Sequence, residues 1–156
     1  MGRILGLDFG LRRIGAALSD PRASIATPLE TYERRDARQD AAHYRRVMVE
    51  EEVDRIVIGL PLHTGGGESE LSAQARAWGA WLAETCGRPV VFFDERYSSI
   101  HAEDLMRSAG LKARDRRARR DMLAAQILLQ AFLDAGAPEV ERPPAPIEDR
   151  PEDEDQ

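Results

Sequence analysis

Two apolar runs, VDRIVIGLPL (residues 53–62) and RPVVFFDE (88–95), flank a stretch in which Leu71, Ala75, Trp78 and Leu82 recur at helical spacing. Runs with so little polar alternation suit strands buried on both faces, and two strands joined through a helix lie parallel in one sheet. Pro61 marks the end of the first run, because proline cannot donate to a central ladder. The second helix, over 68–86, contains Gly79, which weakens it by about 1 kcal/mol relative to alanine.

The residues before these runs follow a different rhythm. Short apolar segments at 3–9 and 14–19 are separated by GLRR, and IATPLETYE (25–33) alternates weakly, so the first third reads as a three-stranded antiparallel meander. Ala37, Ala41, Tyr44, Val47 and Met48 then predict a helix over 36–52 behind Asp36 as N-cap. Two further helices are expected, at 99–109 behind Ser98 or Ser99 and at 116–135, the latter closed by Gly136 and Pro138. A meander leading into two strand–helix–strand crossovers predicts an α/β fold with a mixed five-stranded sheet and helices on its faces.

The chain of 156 residues suits one domain, expected over 1–137. Residues 138–156 are Pro-rich and acidic, so a disordered tail is expected there. Net charge supports the division: the formal −6 of the chain resides in residues 139–156, where eight acids face two arginines, and the rest is neutral. Within that neutral body, RSAGLKARDRRARR (107–120) gathers seven basic side chains against Asp115 alone. Such a run is either a solvated helix surface or a groove for a phosphate backbone. The acidic tail, correspondingly, is a solubilising end or a competitor for that run.

Several function classes lose support. Cys86 is the sole cysteine, which leaves no intramolecular disulfide or thiolate cluster and suits an inert thiol. His43, His63 and His101 lack the close spacing of a zinc site. No apolar run approaches the ~20 residues of a membrane span, and the N-terminus enters a strand without a signal-peptide pattern, so a cytoplasmic protein with no membrane partner is expected. GLPLHTGGGESE (59–70) offers backbone amides at a strand end, but without Gly-Lys-Ser/Thr it is not a P-loop.

Three acidic positions stand out against their surroundings: Asp8 at the tip of the first strand, the Asp94-Glu95 pair ending the last, and Asp121 on the final helix. Asp121 lies in line with Ala124, Ala125, Leu128 and Phe132, where an isolated carboxylate would be costly to desolvate. Strand alternation forbids Asp94 and Glu95 from facing one side unless the strand has ended, so one of them is structural. Each acid has an ordinary alternative: Asp8 could bind amides of the turn at Gly10, Asp121 could pair with Arg117, and Asp94 or Glu95 with Arg96. Brought together, they repel one another, and a hard divalent cation reverses that repulsion; oxygen donors favour Mg²⁺ or Mn²⁺. Two such ions about 3.5 to 4 Å apart would serve phosphodiester hydrolysis.

Read together, DFGLRRIGAALSD (8–20), IVIGLPL (56–62) with GGESELSAQA after it, FDERYSS (93–99) and RRDMLAAQILLQAFL (119–133) resemble the YqgF family, also called RuvX, of Holliday junction resolvase-like proteins linked to pre-16S rRNA processing. The resemblance spans residues 3 to about 136. It implies an RNase H-like fold with helices on both faces of the sheet, and it carries metal-binding, catalytic acids onto Asp8, Glu95 and Asp121, with Asp94 as a further metal ligand. It implies a metal-dependent nuclease trimming the 5′ end of pre-16S rRNA. In such an enzyme Arg12, Arg13, Arg96, Lys112, Arg114, Arg116, Arg117, Arg119 and Arg120 are expected to position the phosphates. The family commonly has Lys-Arg where this chain has Arg12-Arg13, so a role that needs positive charge persists and one that needs an amine does not. Branched DNA is the alternative substrate, since fold does not fix function. Paired nicks on a junction would need a homodimer, whereas RNA trimming is open to a monomer. A non-catalytic module binding RNA or a transcription complex is the remaining reading.

Overall fold

The computed structural model describes residues 2–63, 65–97 and 113–141. The helix expected at 99–109, Lys112 and residues 142–156 lie outside the described residues. Strands β1 (Arg3–Asp8), β2 (Arg13–Ser19) and β3 (Ala26–Glu33) form the expected antiparallel meander. Helix α1 (Ala37–Glu50) leads to β4 (Val53–Leu60), and α2 (Glu70–Cys86) leads to β5 (Val90–Asp94). A 3₁₀ turn over Glu95–Tyr97 follows, and α3 (Ala113–Asp134) is the last described helix. The sheet order is β3-β2-β1-β4-β5, with β4 parallel to both β1 and β5. The mixed five-stranded α/β sheet is therefore the one expected.

Side-chain alternation divides the core into two layers. Leu5 and Leu7 of β1, with Ile56, Ile58 and Leu60 of β4, pack against Tyr44, Val47 and Met48 of α1 and against Ala75, Trp78 and Leu82 of α2. On the other face, Ile4, Ala17, Val57 and Val91 meet Ala125, Leu129, Phe132 and Leu133, of which the last four belong to α3. Each large aliphatic side chain buried in this way contributes about 1.5–3 kcal/mol.

The termini of the elements have local causes. Asp36 caps α1 by accepting from the Gln39 amide at 2.8 Å. The helix stops at Glu50 rather than 52, because Glu52 adopts a left-handed φ of 53°. Ser69 and Ser72 exchange hydrogen bonds across the first turn of α2, and Gly87 ends that helix at φ 62°. Strand β4 ends at Leu60, one residue before Pro61 and two short of the expected end. Gly79, a weak helix former, is explained by packing: a Cβ there would lie 2.6 Å from Phe92 Cζ. Helix α3 starts at Ala113, three residues earlier than expected, so part of the basic run is helical.

Past α3, Arg55 donates to the Ala137 carbonyl at 2.9 Å. Arg76 grips both carboxylate oxygens of Glu141, four residues beyond the boundary expected at 137.

Candidate active site

Asp8, Glu95 and Asp121 come from three elements that meet at one end of the sheet. Because β1, β4 and β5 are parallel, their C-terminal ends lie together, which places Asp8 near the turn that begins at Glu95. Strand β4 lies between them. Gly59 of that strand clears the way: a Cβ there would stand 3.0 Å from Glu95 Oε2 and 2.9 Å from Leu128 Cδ2. The bare backbone lets Glu95 lean across β4 until its carboxyl group shares a hydrogen bond with that of Asp8.

Helix α3 brings the third acid. It lies directly on the sheet, with a Cβ at Gly6 falling 2.8 Å from Leu129 Cβ. At Gly15, the β2 partner of Asp8 in the ladder, the same test gives 1.9 Å to the Asp121 carbonyl oxygen. Any side chain at Gly15 would therefore push Asp121 away from Asp8. The Asp121 carboxylate accepts from Arg13 Nε at 3.0 Å, in an ion pair whose arginine is half exposed. Arg117, the partner anticipated from helical spacing, lies in the part of α3 whose side chains are not described.

The electrostatics follow from this crowding. Desolvation raises the Asp8 pKa well above its ordinary 3.8, and the charges of Glu95 and Asp121 and the hydrogen bond to Glu95 raise it further. Glu95 is raised as well, first by desolvation and then by Asp94, against the lowering effect of the bond from Asp8. The pair thus retains a proton at pH values where carboxyls are ordinarily ionised. Among the described residues no three acidic, imidazole or thiol groups stand together at metal-ligand spacing. A hard divalent cation nevertheless fits the donor set, which is all carboxylate oxygen and whose like charges already disturb one another.

Asp94 is occupied differently. Arg96 donates Nε at 2.8 and 2.9 Å to its two oxygens, adds Nη2, and donates its backbone amide at 3.0 Å. Asp94 thus folds the turn that projects Glu95, and Arg96 is the partner anticipated for it. Arg12 is exposed on the β1–β2 turn, and Arg119 and Arg120 are exposed immediately before Asp121. Arg114, Arg116 and Arg117 fall in the first turns of α3, and Lys112 precedes it outside the described residues. Cys86 is half buried and its thiol is pushed up by burial, as suits an unreactive residue. Neither Gly15 nor Gly59 was evident from sequence as part of the site; glycine within a strand was the available signal.

Comparison with known proteins identifies the family of the chain. The family model RuvX, described as Holliday junction resolvase, matches residues 2–135. The chain belongs to the RuvX family. A relative from Koribacter versatilis, named "Putative pre-16S rRNA nuclease", is 41% identical over 142 residues, covering 91% of this chain and 93% of its own. One of the same name from Anaeromyxobacter sp. (strain Fw109-5) is 42% identical over 132 residues, covering 85% and 96%. Among solved structures, T. thermophilus RuvC in complex with a Holliday junction substrate aligns at TM-score 0.54 and 21% identity, covering 88% of this chain and 97% of that one. Fowlpox virus resolvase with its Holliday junction DNA aligns at 0.56 and 8% identity, covering 87% and 99%. These two likenesses show the fold, which this RuvX member shares with resolvases of RNase H-like architecture. No helix among its described residues is long and apolar enough to cross a membrane.

Proposed function

We propose that this RuvX member is a divalent-metal-dependent nuclease that hydrolyses RNA phosphodiester bonds and matures the 5′ end of pre-16S rRNA. The observation that carries the reading is the Asp8–Glu95 hydrogen bond across Gly59, with Asp121 acting on Asp8 from the helix above. Names of relatives that are about 40% identical over most of the chain support RNA as the substrate.

Asp8, Glu95 and Asp121 would hold Mg²⁺ or Mn²⁺, which supplies an activated water and charge stabilisation at the leaving oxygen. The hydrogen bond shared by Asp8 and Glu95 holds these two acids close, and burial and the neighbouring charges raise the pKa of Asp8. Arg13 braces the Asp121 carboxylate from β2. Arg96 locks Asp94 and so fixes the turn on which Glu95 stands. Arg12, Arg119 and Arg120, exposed around the acids, offer guanidiniums to the phosphates on either side of the scissile bond.

The test is incubation with Mn²⁺ and an end-labelled RNA spanning the 5′ extension of 16S rRNA, beside the Asp8→Asn variant and a four-way DNA junction. The reading expects RNA cleavage by the wild type and none above background by Asp8→Asn. Equal cleavage by both proteins removes the acid centre; cleavage of the junction alone transfers the activity to branched DNA; cleavage of neither substrate leaves a binding module.

A further inference from the structure

The end of the sheet that carries Asp8 also carries a basic and aromatic cluster that shares only Arg12 with the phosphate contacts proposed around the acids. Strand alternation turns Phe9 to the face opposite Asp8, where its ring meets Trp78 with centroids 5.6 Å apart. Arg34, the first residue past β3, lies over Phe9 at 5.2 Å and donates to the carbonyls of Gly10 and Leu11 at 3.2 and 3.3 Å. Its backbone amide donates to the Arg12 carbonyl at 2.8 Å. The start of α1 is therefore tied to the turn that follows Asp8. Asp40, buried at 4% exposure, accepts from the Arg35 amide at 2.9 Å and from the Tyr32 hydroxyl at 2.7 Å, which fixes the backbone that presents Arg35.

Two adjoining hollows result. One, of about 250 Å³, is lined by Arg34, Arg35, Ala37, Asp40, Trp78 and Trp81. The other, of about 450 Å³, is lined by Leu11, Arg12, Glu33, Arg34 and Arg35. Three guanidiniums face two carboxylates here, and Asp40 is turned inward to Tyr32. Among the described residues, neither Arg12 nor Arg35 forms an ion pair. Trp81 is only partly covered, and its ring stands 6.1 Å from Trp78 at 38°.

We infer that this rim is a subsite for single-stranded RNA, with an unpaired base against Trp81 and the adjoining phosphates on Arg12 and Arg35. Guanidinium next to an aromatic face is the chemistry that holds an unstacked nucleotide, and a base within a duplex has no face free to offer. The location gives the subsite its use. The Gly10–Arg12 turn separates it from Asp8, so a strand lying over the acids continues across that turn into the hollows. The inference rests on the nuclease reading for its substrate and not for its binding chemistry.

Trp78 and Trp81 are the only two tryptophans in the chain, so their fluorescence reports on this rim alone. The experiment titrates the full-length protein in EDTA and low salt with a single-stranded oligouridylate, and in parallel with a blunt RNA duplex. Single strands should quench the tryptophan emission. Trp81→Ala should weaken single-strand binding about 5- to 150-fold by anisotropy, and Trp81→Phe should restore most of it. Arg35→Ala should also weaken binding and lower the slope of log affinity against log salt by roughly 0.7. Duplex affinity should change for none of the three. Wild-type affinity in Trp81→Ala, or an equal loss for duplex and single strand, overturns the subsite; if Trp81→Ala does not fold, Arg35→Ala decides. Cleavage by Asp8→Asn in the separate Mn²⁺ assay would refute the acid centre while leaving the EDTA binding result standing, so the two readings fail separately.

Discussion

At the scale of single residues, Asp8 is held at a cost that the metal-free fold must bear. A raised carboxyl pKa means that ionisation is harder in the folded state than in the unfolded one. The folded protein therefore carries no penalty below pH 3.8, and it loses stability as pH rises from there through the elevated folded value. Asp8→Asn removes the ionisation and keeps the shape, so without metal it should melt above the wild type at pH 7.5. The difference should shrink on acidification and vanish below pH 3.8. Each kcal/mol recovered moves the midpoint by about 3 °C in a domain of this size, which calorimetry resolves. Added Mn²⁺ should raise the wild-type midpoint and leave that of Asp8→Asn nearly unmoved, because only a native-state ligand stabilises. Arg13 provides a contrast. Its half-exposed pair with Asp121 contributes about 0–1 kcal/mol, so Arg13→Ala should scarcely alter the melting midpoint. Its expected effect is on the rate of RNA cleavage, through an unbraced Asp121; a variant with wild-type turnover would deny Arg13 that task.

At the scale of elements, the site depends on how closely α3 can lie on the sheet, and glycines set that distance. Gly15→Ala places a methyl group 1.9 Å from the Asp121 carbonyl, a backbone atom that cannot rotate aside. Overpacking of this kind costs about 1–3 kcal/mol, and the helix must lift where Asp121 joins Asp8. The variant should lose both thermal stability and cleavage, whereas Arg13→Ala should lose cleavage alone. The two outcomes separate a displaced helix from an unbraced carboxylate. This contact also shows where sequence reading stops. The strands and helices were legible because each has its own apolar period, and the acids stood out because a carboxylate at the tip of an apolar run or along a helix's apolar stripe is anomalous. That Glu95 reaches Asp8 over Gly59 was not legible, since it depends on strand order and on the bare backbone of a third strand. Trp78 and Trp81 belong to one helix, and Trp78 has the spacing of a core residue. Only the folded β3–α1 corner brings Arg34 and Arg35 beside them.

At the scale of the whole molecule, charge is divided along the chain, and the division bears on RNA binding. Residues 1–138 are neutral overall but hold the basic run, while the net −6 lies in residues 139–156. The described part of that tail is tied back to the body, with Glu141 gripped by Arg76, which also holds Glu68. The remaining acids, six between 148 and 155 against Arg142 and Arg150, therefore begin from an anchored point on the domain. Tethered carboxylates at high local concentration compete with phosphates for guanidiniums, and salt screens both within about 10 Å at 0.1 M. Deleting residues 142–156 leaves the Arg76–Glu141 contact intact and removes six of the eight acids of residues 139–156. The truncated protein should bind RNA several-fold tighter than the full chain at 50 mM salt, with the gap closing by 300 mM, while melting unchanged. Equal affinities at low salt would confine the tail to keeping the chain in solution. A gap that persisted at high salt would point instead to steric occlusion, since screening would then have removed the charge effect and left the difference in place.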